Sequence, residues 1–195
     1  MKFIVLIFSA ILIGLDQFFK KLVLDHLVIQ DTVPLINDVF HLTYVENRGA
    51  AFGIFQGSVQ ILSIVNLILI LVFIGYVLFG KPKSKFVLWS LALIIGGGIG
   101  NLIDRLARGF VIDYLDFRLI NFAVFNFADM CTVIGTILLM AYIIFFESKK
   151  EDNSKVPSNK IEKINIVEMK LPEHKKVNKF ISVIGEAEDN DNNQQ

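Results

Sequence analysis

Apolar and polar positions divide this chain into long uncharged runs separated by shorter polar segments. Residues 3–15 carry no charge; Asp16 follows, and apolar side chains resume at Phe18 and Phe19 before Lys20. Residues 58–79 are uncharged and dominated by Ile, Leu, Val and Phe, and residues 86–103 end in Asp104-Arg105. A last run, 124–146, holds Asp129 in its first turns. A helix rises 1.5 Å per residue, so even the shortest run gives about 25 Å, slightly short of a bilayer core but enough to cross it. The pattern predicts transmembrane helices over about 3–19, 58–79, 86–105 and 124–146. Asn66, alone inside the second, is expected to make an interhelical hydrogen bond.

Between the first two spans the pattern changes. Residues 25–57 alternate polar and apolar, contain Pro34 and include Phe40-His41-Leu42-Thr43-Tyr44-Val45. Alternation with period two predicts short strands in a segment with one apolar face, lying on the membrane surface. Residues 106–123 are expected to be a loop. The fold class is therefore an α-helical integral membrane protein with four transmembrane helices and a small β-rich loop after the first. Residues 1–150 form the membrane domain. Residues 151–195 are hydrophilic with both charge signs and form a tail on which no fold is forced; 161–167 and 180–184 are its candidates for local structure. A cleaved signal peptide is the alternative for the N-terminal run, but no small-residue cleavage site precedes a polar start.

Basic residues orient the spans. Lys81, Lys83 and Lys85 share one loop, and Lys149, Lys150 and Lys155 follow the last span. The positive-inside rule places both groups and both termini in the cytoplasm, and the larger loops outside. Lys20 and Lys21 violate the rule, which points to a local role.

At 54% hydrophobic the chain is more apolar than an ordinary soluble domain. Zero net charge gives no basis for nucleic-acid binding. The single cysteine, Cys131, makes no internal disulfide and is expected to be a small buried hydrophobe. His26, His41 and His174 stand in no metal-ligand spacing, so neither metal nor cofactor is expected.

The charges beside the spans remain to be explained, because an ionisable group in lipid is costly unless paired or put to use. Asp16, Asp104, Arg105, Asp113 and Asp129 can share one layer at the outer interface, with Asn47, Asn101 and Asn126 beside them. The Gly96-Gly97-Gly98 run and Gly100 allow close helix approach. Two neighbouring carboxylates in a dry site tend to share one proton, an arrangement suited to hydrolysing a peptide bond. Structural pairing is the competing explanation: Asp104 with Arg105 of a neighbouring turn, Asp16 with Lys20. Pairing is preferred for Asp104; for Asp113 and Asp129 the residues alone leave the two explanations level. A proton-coupled transporter and a non-catalytic membrane subunit are the other classes, the first disfavoured because no halves are duplicated and the acids avoid mid-span.

In these residues the chain resembles the lipoprotein signal peptidases, or signal peptidase II, over about residues 10–146. The motifs are Asp16-Gln17-Phe18-Phe19-Lys20, Asn47-Arg48-Gly49-Ala50-Ala51-Phe52-Gly53, Gly96 through Arg105, Val111-Ile112-Asp113-Tyr114 and Phe125-Asn126-Phe127-Ala128-Asp129. The resemblance implies an aspartic endopeptidase of the bacterial inner (cytoplasmic) membrane. Its substrate would be a diacylglyceryl-modified prolipoprotein, cut before the lipidated cysteine, with membrane lipid as the surrounding partner. It implies Asp113 and Asp129 as the catalytic pair, and substrate-binding roles for Asp16, Lys20, Asn47, Gly49, Asn101, Arg105, Asn126 and Ala128. It also implies inhibition by the cyclic peptide globomycin. Three positions depart from the family pattern. Phe19 replaces a usual Ser or Thr, removing a hydroxyl near Lys20. Gly98 replaces a frequent Ala, which should loosen the helix, and Tyr114 replaces a frequent Phe.

Overall fold

The computed structural model describes residues 2–30, 32–49, 57–80, 82, 84–120 and 122–147. The predicted tail at 151–195 and positions 50–53 of the second motif lie outside the described residues. The chain divides into units 1–145 and 146–195, and apart from the last two residues of the final helical turn everything that follows lies in the first.

Four helices are long and apolar enough to cross a membrane. They are α1 (Lys2–His26), α2 (Val59–Phe79), α3 (Lys85–Arg108) and α4 (Phe127–Tyr142), the last extended by a π-helical turn, Ile143–Glu147. Strands β1 (Thr32–Ile36) and β2 (Phe40–Asn47) join β3 (Val111–Phe117) in an antiparallel sheet of order β1-β2-β3. The expected loop at 106–123 thus contains a strand. β3 is missed by pattern because it is short and its partner β2 lies far away in sequence. Its other edge is bridged by Phe125, whose carbonyl accepts from Leu115 N–H at 2.8 Å.

The first helix continues to His26 instead of stopping near 19. Its buried residues are Val5, Ser9, Leu12, Asp16, Lys20 and Val23, one stripe at helical spacing. Asp16 and Lys20 stand in the same inward row as the apolar residues, so the charges mark no helix end. The last helix begins at Phe127 instead of 124, because Phe125 is committed to β3.

Several helix ends have specific partners for the groups the helix leaves free. Ser84 Oγ accepts from Phe86 N–H at the start of α3. Gly109, at φ +78°, ends it in the left-handed conformation and turns the chain into β3. Lys2 Nζ donates to the carbonyls of Leu78 (2.8 Å) and Gly80 (3.1 Å), tying the start of α1 to the end of α2.

Helix α3 is central, packing against α1, α2 and α4. The glycine run explains how one helix serves three neighbours. Gly96 faces Leu12 and Ser9 of α1, Gly97 faces Ala128 and Thr132 of α4, and Gly98 faces Asn66 and Ile70 of α2. Asn66 Nδ2 donates to Gly98 O at 2.9 Å, the interhelical bond expected of it. A methyl group on Gly98 would stand 3.2 Å from Asn66 Oδ1. The bare position therefore admits α2 and does more than loosen α3. One apolar cluster (Val5, Val77, Leu88, Leu91, Ile95) joins the helices, and another (Val23, Leu27, Ile112, Tyr114) lies beneath the sheet.

Packing at Gly97 is open to test. A methyl there meets the Ala128 carbonyl and Thr132, part of which is α4 backbone that cannot rotate away. Gly97→Ala is expected to cost about 1–3 kcal/mol and to lower Tm in detergent. Gly14→Ala meets nothing within 4 Å and should leave Tm unlowered. Equal Tm values for the two variants would show that α3 and α4 separate without penalty.

Candidate active site

The site is built around the first turn of α4. Asn126 is its N-cap: the side-chain Oδ1 accepts from Asp129 N–H at 2.9 Å, and Asp129 Oδ2 accepts from Asn126 N–H at 3.1 Å. This reciprocal capping box satisfies donors that the helix leaves free. Ala128 N–H donates to Asp16 Oδ1 across to α1, at 3.2 Å.

Asp113 projects from β3 to the same place and is 2% exposed. Its Oδ1 accepts from Asn126 Nδ2 at 2.6 Å and its Oδ2 from Asn47 Nδ2 at 2.9 Å. The second contact follows from register, since Val45 pairs with Asp113 and Asn47 lies two residues further on the same face of β2. Asp129 Oδ1 accepts from Asn101 Nδ2 at 2.7 Å. Asn126 thus touches both acids, through its side chain to Asp113 and through its backbone to Asp129.

All three asparagines present their NH2 group to the two acids, and each has a reason. An amide turns its oxygen to whichever neighbour can only donate. Asn126 Oδ1 is held by Asp129 N–H, and Asn47 Oδ1 by Gly49 N–H at 2.9 Å. Asn101 Oδ1 is held by Lys20 Nζ, also at 2.9 Å. Burial first, then the charge of Asp129, push Asp113 up to about 7.

Behind the acids lies a buried ionic cluster. Lys20 is 0% exposed and sits 2.9 Å from both Asp16 Oδ2 and Asp104 Oδ2. Asp104 also accepts from Arg108 (2.6 Å) and from Ile112 N–H (3.1 Å), which fixes the start of β3 to α3. The partner on the same helix is thus Arg108, one turn on, and not Arg105. The anomaly of Lys20 is accounted for by this local role, whereas Lys21 is exposed and pairs with Asp25. No hydroxyl is needed at position 19: Lys20 has three acceptors, and Phe19 instead packs edge-on against Phe127, with ring centroids 5.6 Å apart.

A groove of about 830 Å³ opens on the two acids. Asn47, Asn101, Arg105, Asp113 and Asp129 give it polar lining, and Met130, Val133 and Ile134 of α4 are among its apolar lining. Those three α4 side chains are otherwise exposed, on the flank that lipid would cover. Of the other residues named from sequence, Asp16, Lys20, Asn126 and Ala128 are buried behind the groove and do not line it. Gly49 is buried beside it, orienting Asn47. Sequence reasoning missed Arg48, which lines the groove while held by Glu46 (2.8 Å) and the Phe110 ring. It also missed the α4 stripe, although spacing i, i+3, i+4 from Met130 was there to be seen.

Comparison with known proteins identifies the family. A family model described as signal peptidase (SPase) II matches residues 8–145. A lipoprotein signal peptidase from Clostridioides difficile (strain 630) is 54% identical over 139 residues, covering 71% of this chain and 93% of that protein. One from Halothermothrix orenii is 48% identical over 139 residues, covering 71% and 94%. A bacterial membrane enzyme structure obtained by the in meso method at 2.3 Å superposes with a TM-score of 0.65 at 28% identity, covering 78% of this chain and 90% of that one. With the family model spanning every transmembrane helix and the sheet between them, this chain belongs to the signal peptidase II family.

Proposed function

We propose that Asp113 and Asp129 are the catalytic dyad of this peptidase, and that the groove beside them seats the scissile peptide. Family membership makes the chain an aspartic peptidase that removes signal peptides from prolipoproteins. The observation that carries the dyad assignment is the shared residue Asn126, which donates to both acids where the groove meets them.

The chemistry follows from one proton shared by two carboxyls. The ionised member takes a proton from water as the water oxygen bonds to the scissile carbonyl carbon. The protonated member gives its proton to the carbonyl oxygen. In the tetrahedral intermediate the first acid then protonates the amide nitrogen. The C–N bond breaks, and the second acid recovers a proton from the geminal hydroxyl. Arg105, which also lines the groove, supports the bound backbone or the developing charge.

The finer substrate assignment is a prolipoprotein whose cysteine carries diacylglycerol, cut just before that cysteine. The apolar lining from Met130, Val133 and Ile134 supports it, because acyl chains can stay in lipid while the peptide bond reaches the acids. Globomycin is expected to compete for the same groove. The reading also places the chain in the bacterial inner membrane, with the dyad end outward and both termini cytoplasmic. The lysines at 81, 83 and 85 support that orientation. Residues 151–195 then form a cytoplasmic tail.

Three measurements test this. On a lipidated prolipoprotein, Asp113→Asn and Asp129→Asn should each lower cleavage by about a thousandfold or more, while unfolding in detergent still shows a cooperative transition. Full cleavage by either variant would sink the assignment. The rate should also fall as pH rises through about 7, where Asp113 gives up its proton. Stability moves in the same direction. The folded carboxyl holds its proton to higher pH than the unfolded one, so its contribution is complete below about 4 and is lost as pH rises through about 7. A rate that climbs steadily from pH 6 to 9 would contradict this. Finally, Asp104→Asn should lower Tm while the folded fraction keeps turnover, since Asp104 ties Lys20, Arg108 and Ile112 together. Unchanged Tm with no turnover would move Asp104 into the chemistry.

A further inference from the structure

Two of the three asparagines at the dyad are oriented by backbone N–H groups, which any sequence supplies. Asn101 is different. Among the described residues its oxygen meets no backbone donor; it accepts from Lys20 Nζ at 2.9 Å and from Asn126 Nδ2 at 3.1 Å. Lys20 is fully buried, and its three acceptors are Asp16, Asp104 and Asn101. An ammonium has three protons and no lone pair, so it can face only the oxygen of the amide. That turns the Asn101 NH2 group onto Asp129.

We propose that Lys20 is a positioning residue that locks the Asn101 amide and so makes Asp129 the ionised member of the dyad, the general base, with the shared proton on Asp113. This rests on the dyad assignment above. The two acids do not have equal surroundings. Asp129 occupies the third position of α4, where the helix dipole favours a negative charge, and Asp113 lies on a strand without such a field. The Asn101 donor is polarised by an ammonium behind it, and hydrogen bonds in series strengthen one another. Net charge does not supply the bias, because Lys20 and Arg108 are balanced by Asp16 and Asp104. Direction does. Among the described residues, the remaining charged or titratable groups around Asp129 are Arg105 from α3, and Asp113 and Tyr114 from β3. From β2 come uncharged Asn47 and, at the groove rim, the mutually paired Glu46 and Arg48.

The lock predicts a pH signature that a purely structural lysine lacks. In Lys20→Gln the new side chain offers an acceptor as well as donors. Asn126 Nδ2 still meets Asn101 Oδ1, but the ammonium that holds and polarises the amide is gone, which weakens the donor to Asp129 and favours a proton there. Asn101→Ser removes the amide altogether. Cleavage of a diacylglyceryl-modified prolipoprotein peptide in detergent micelles is followed against pH for both variants, with Asp113→Asn and Asp129→Asn alongside. Both lock variants should lose kcat by about a hundredfold, and the acid limb of kcat/KM should move up by about one pH unit or more. KM should stay within about threefold. A raised KM with unmoved limbs would make Lys20 and Asn101 substrate contacts and overturn the proposal. A lower kcat with unmoved limbs would overturn it as well, leaving a structural role. If Lys20→Gln does not fold, Asn101→Ser decides alone. The dyad assignment fails separately, by cleavage in Asp113→Asn or Asp129→Asn.

Discussion

A helix that begins inside a membrane protein must find acceptors for its first N–H groups, and the start of α4 sets the layout of everything near it. Asn126 N–H is held by Asp129 Oδ2, Ala128 N–H by Asp16 Oδ1 and Asp129 N–H by Asn126 Oδ1, whose NH2 group reaches Asp113 on β3; Met130 N–H then makes the helix's own first bond, to the Asn126 carbonyl. An orphaned buried N–H costs roughly 1–3 kcal/mol, so α1, β3 and the segment before α4 are drawn to one point. The same groups that close the helix end deliver the acids. Asp129 is at once the acidic half of the capping box and half of the proposed dyad, so fold and chemistry share atoms here.

That convergence depends on how closely the helices approach. A buried ion pair loses much of its hydration, and the loss is offset only by short, well-satisfied contacts. Lys20 reaches Asp104 across the α1–α3 interface at 2.9 Å. Gly96 and Gly100 face α1 at that interface, the latter directly against Asp16. Larger residues would hold the helices apart and leave two carboxylates and an ammonium in an apolar setting without contact. The glycine run and the ionic cluster are therefore one device. It fixes α1 against α3 at the depth where α4 begins, and through Ile112 N–H it fixes β3 as well.

Much of this could be read from the chain before any coordinates. The uncharged runs announced four spans, Asn66 announced its interhelical bond, and Lys20 stood out as a charge with a local purpose. Other features depend on distance in space. β3 pairs with a strand some 70 residues away, so no local pattern marks it. The end of α1 is not legible in the pattern, because the uncharged run stops at Asp16 and Lys20 while the helix runs on to His26 with both charges neutralised within the protein. The Asp104–Arg108 pair has helical i,i+4 spacing and was available in principle. What depth alone did not supply was the choice of Asp113 and Asp129 among the acids. That choice came from the family resemblance; the common neighbour Asn126, on which the proposed dyad rests, is visible only in three dimensions.

The preference for asparagine around the dyad has a physical reason that capping alone does not supply. Serine, threonine or aspartate at position 126 would cap α4 about as well as asparagine. None would leave an NH2 group over for Asp113. An amide takes a donor on one side and presents donors on the other, so it converts a constraint of the fold into polarity aimed at the acids. At Asn126 the constraint is a helix N-terminus, at Asn47 the turn into Gly49, and at Asn101 the buried ammonium. Three unrelated structural demands thus end in the same result, a shell of N–H groups around two carboxyls. Such a shell can stabilise one negative charge in a dry site while the repulsion between the acids keeps the other neutral. Aspartic chemistry needs one of each, and in the proposed dyad the backbone and one lysine would supply the arrangement.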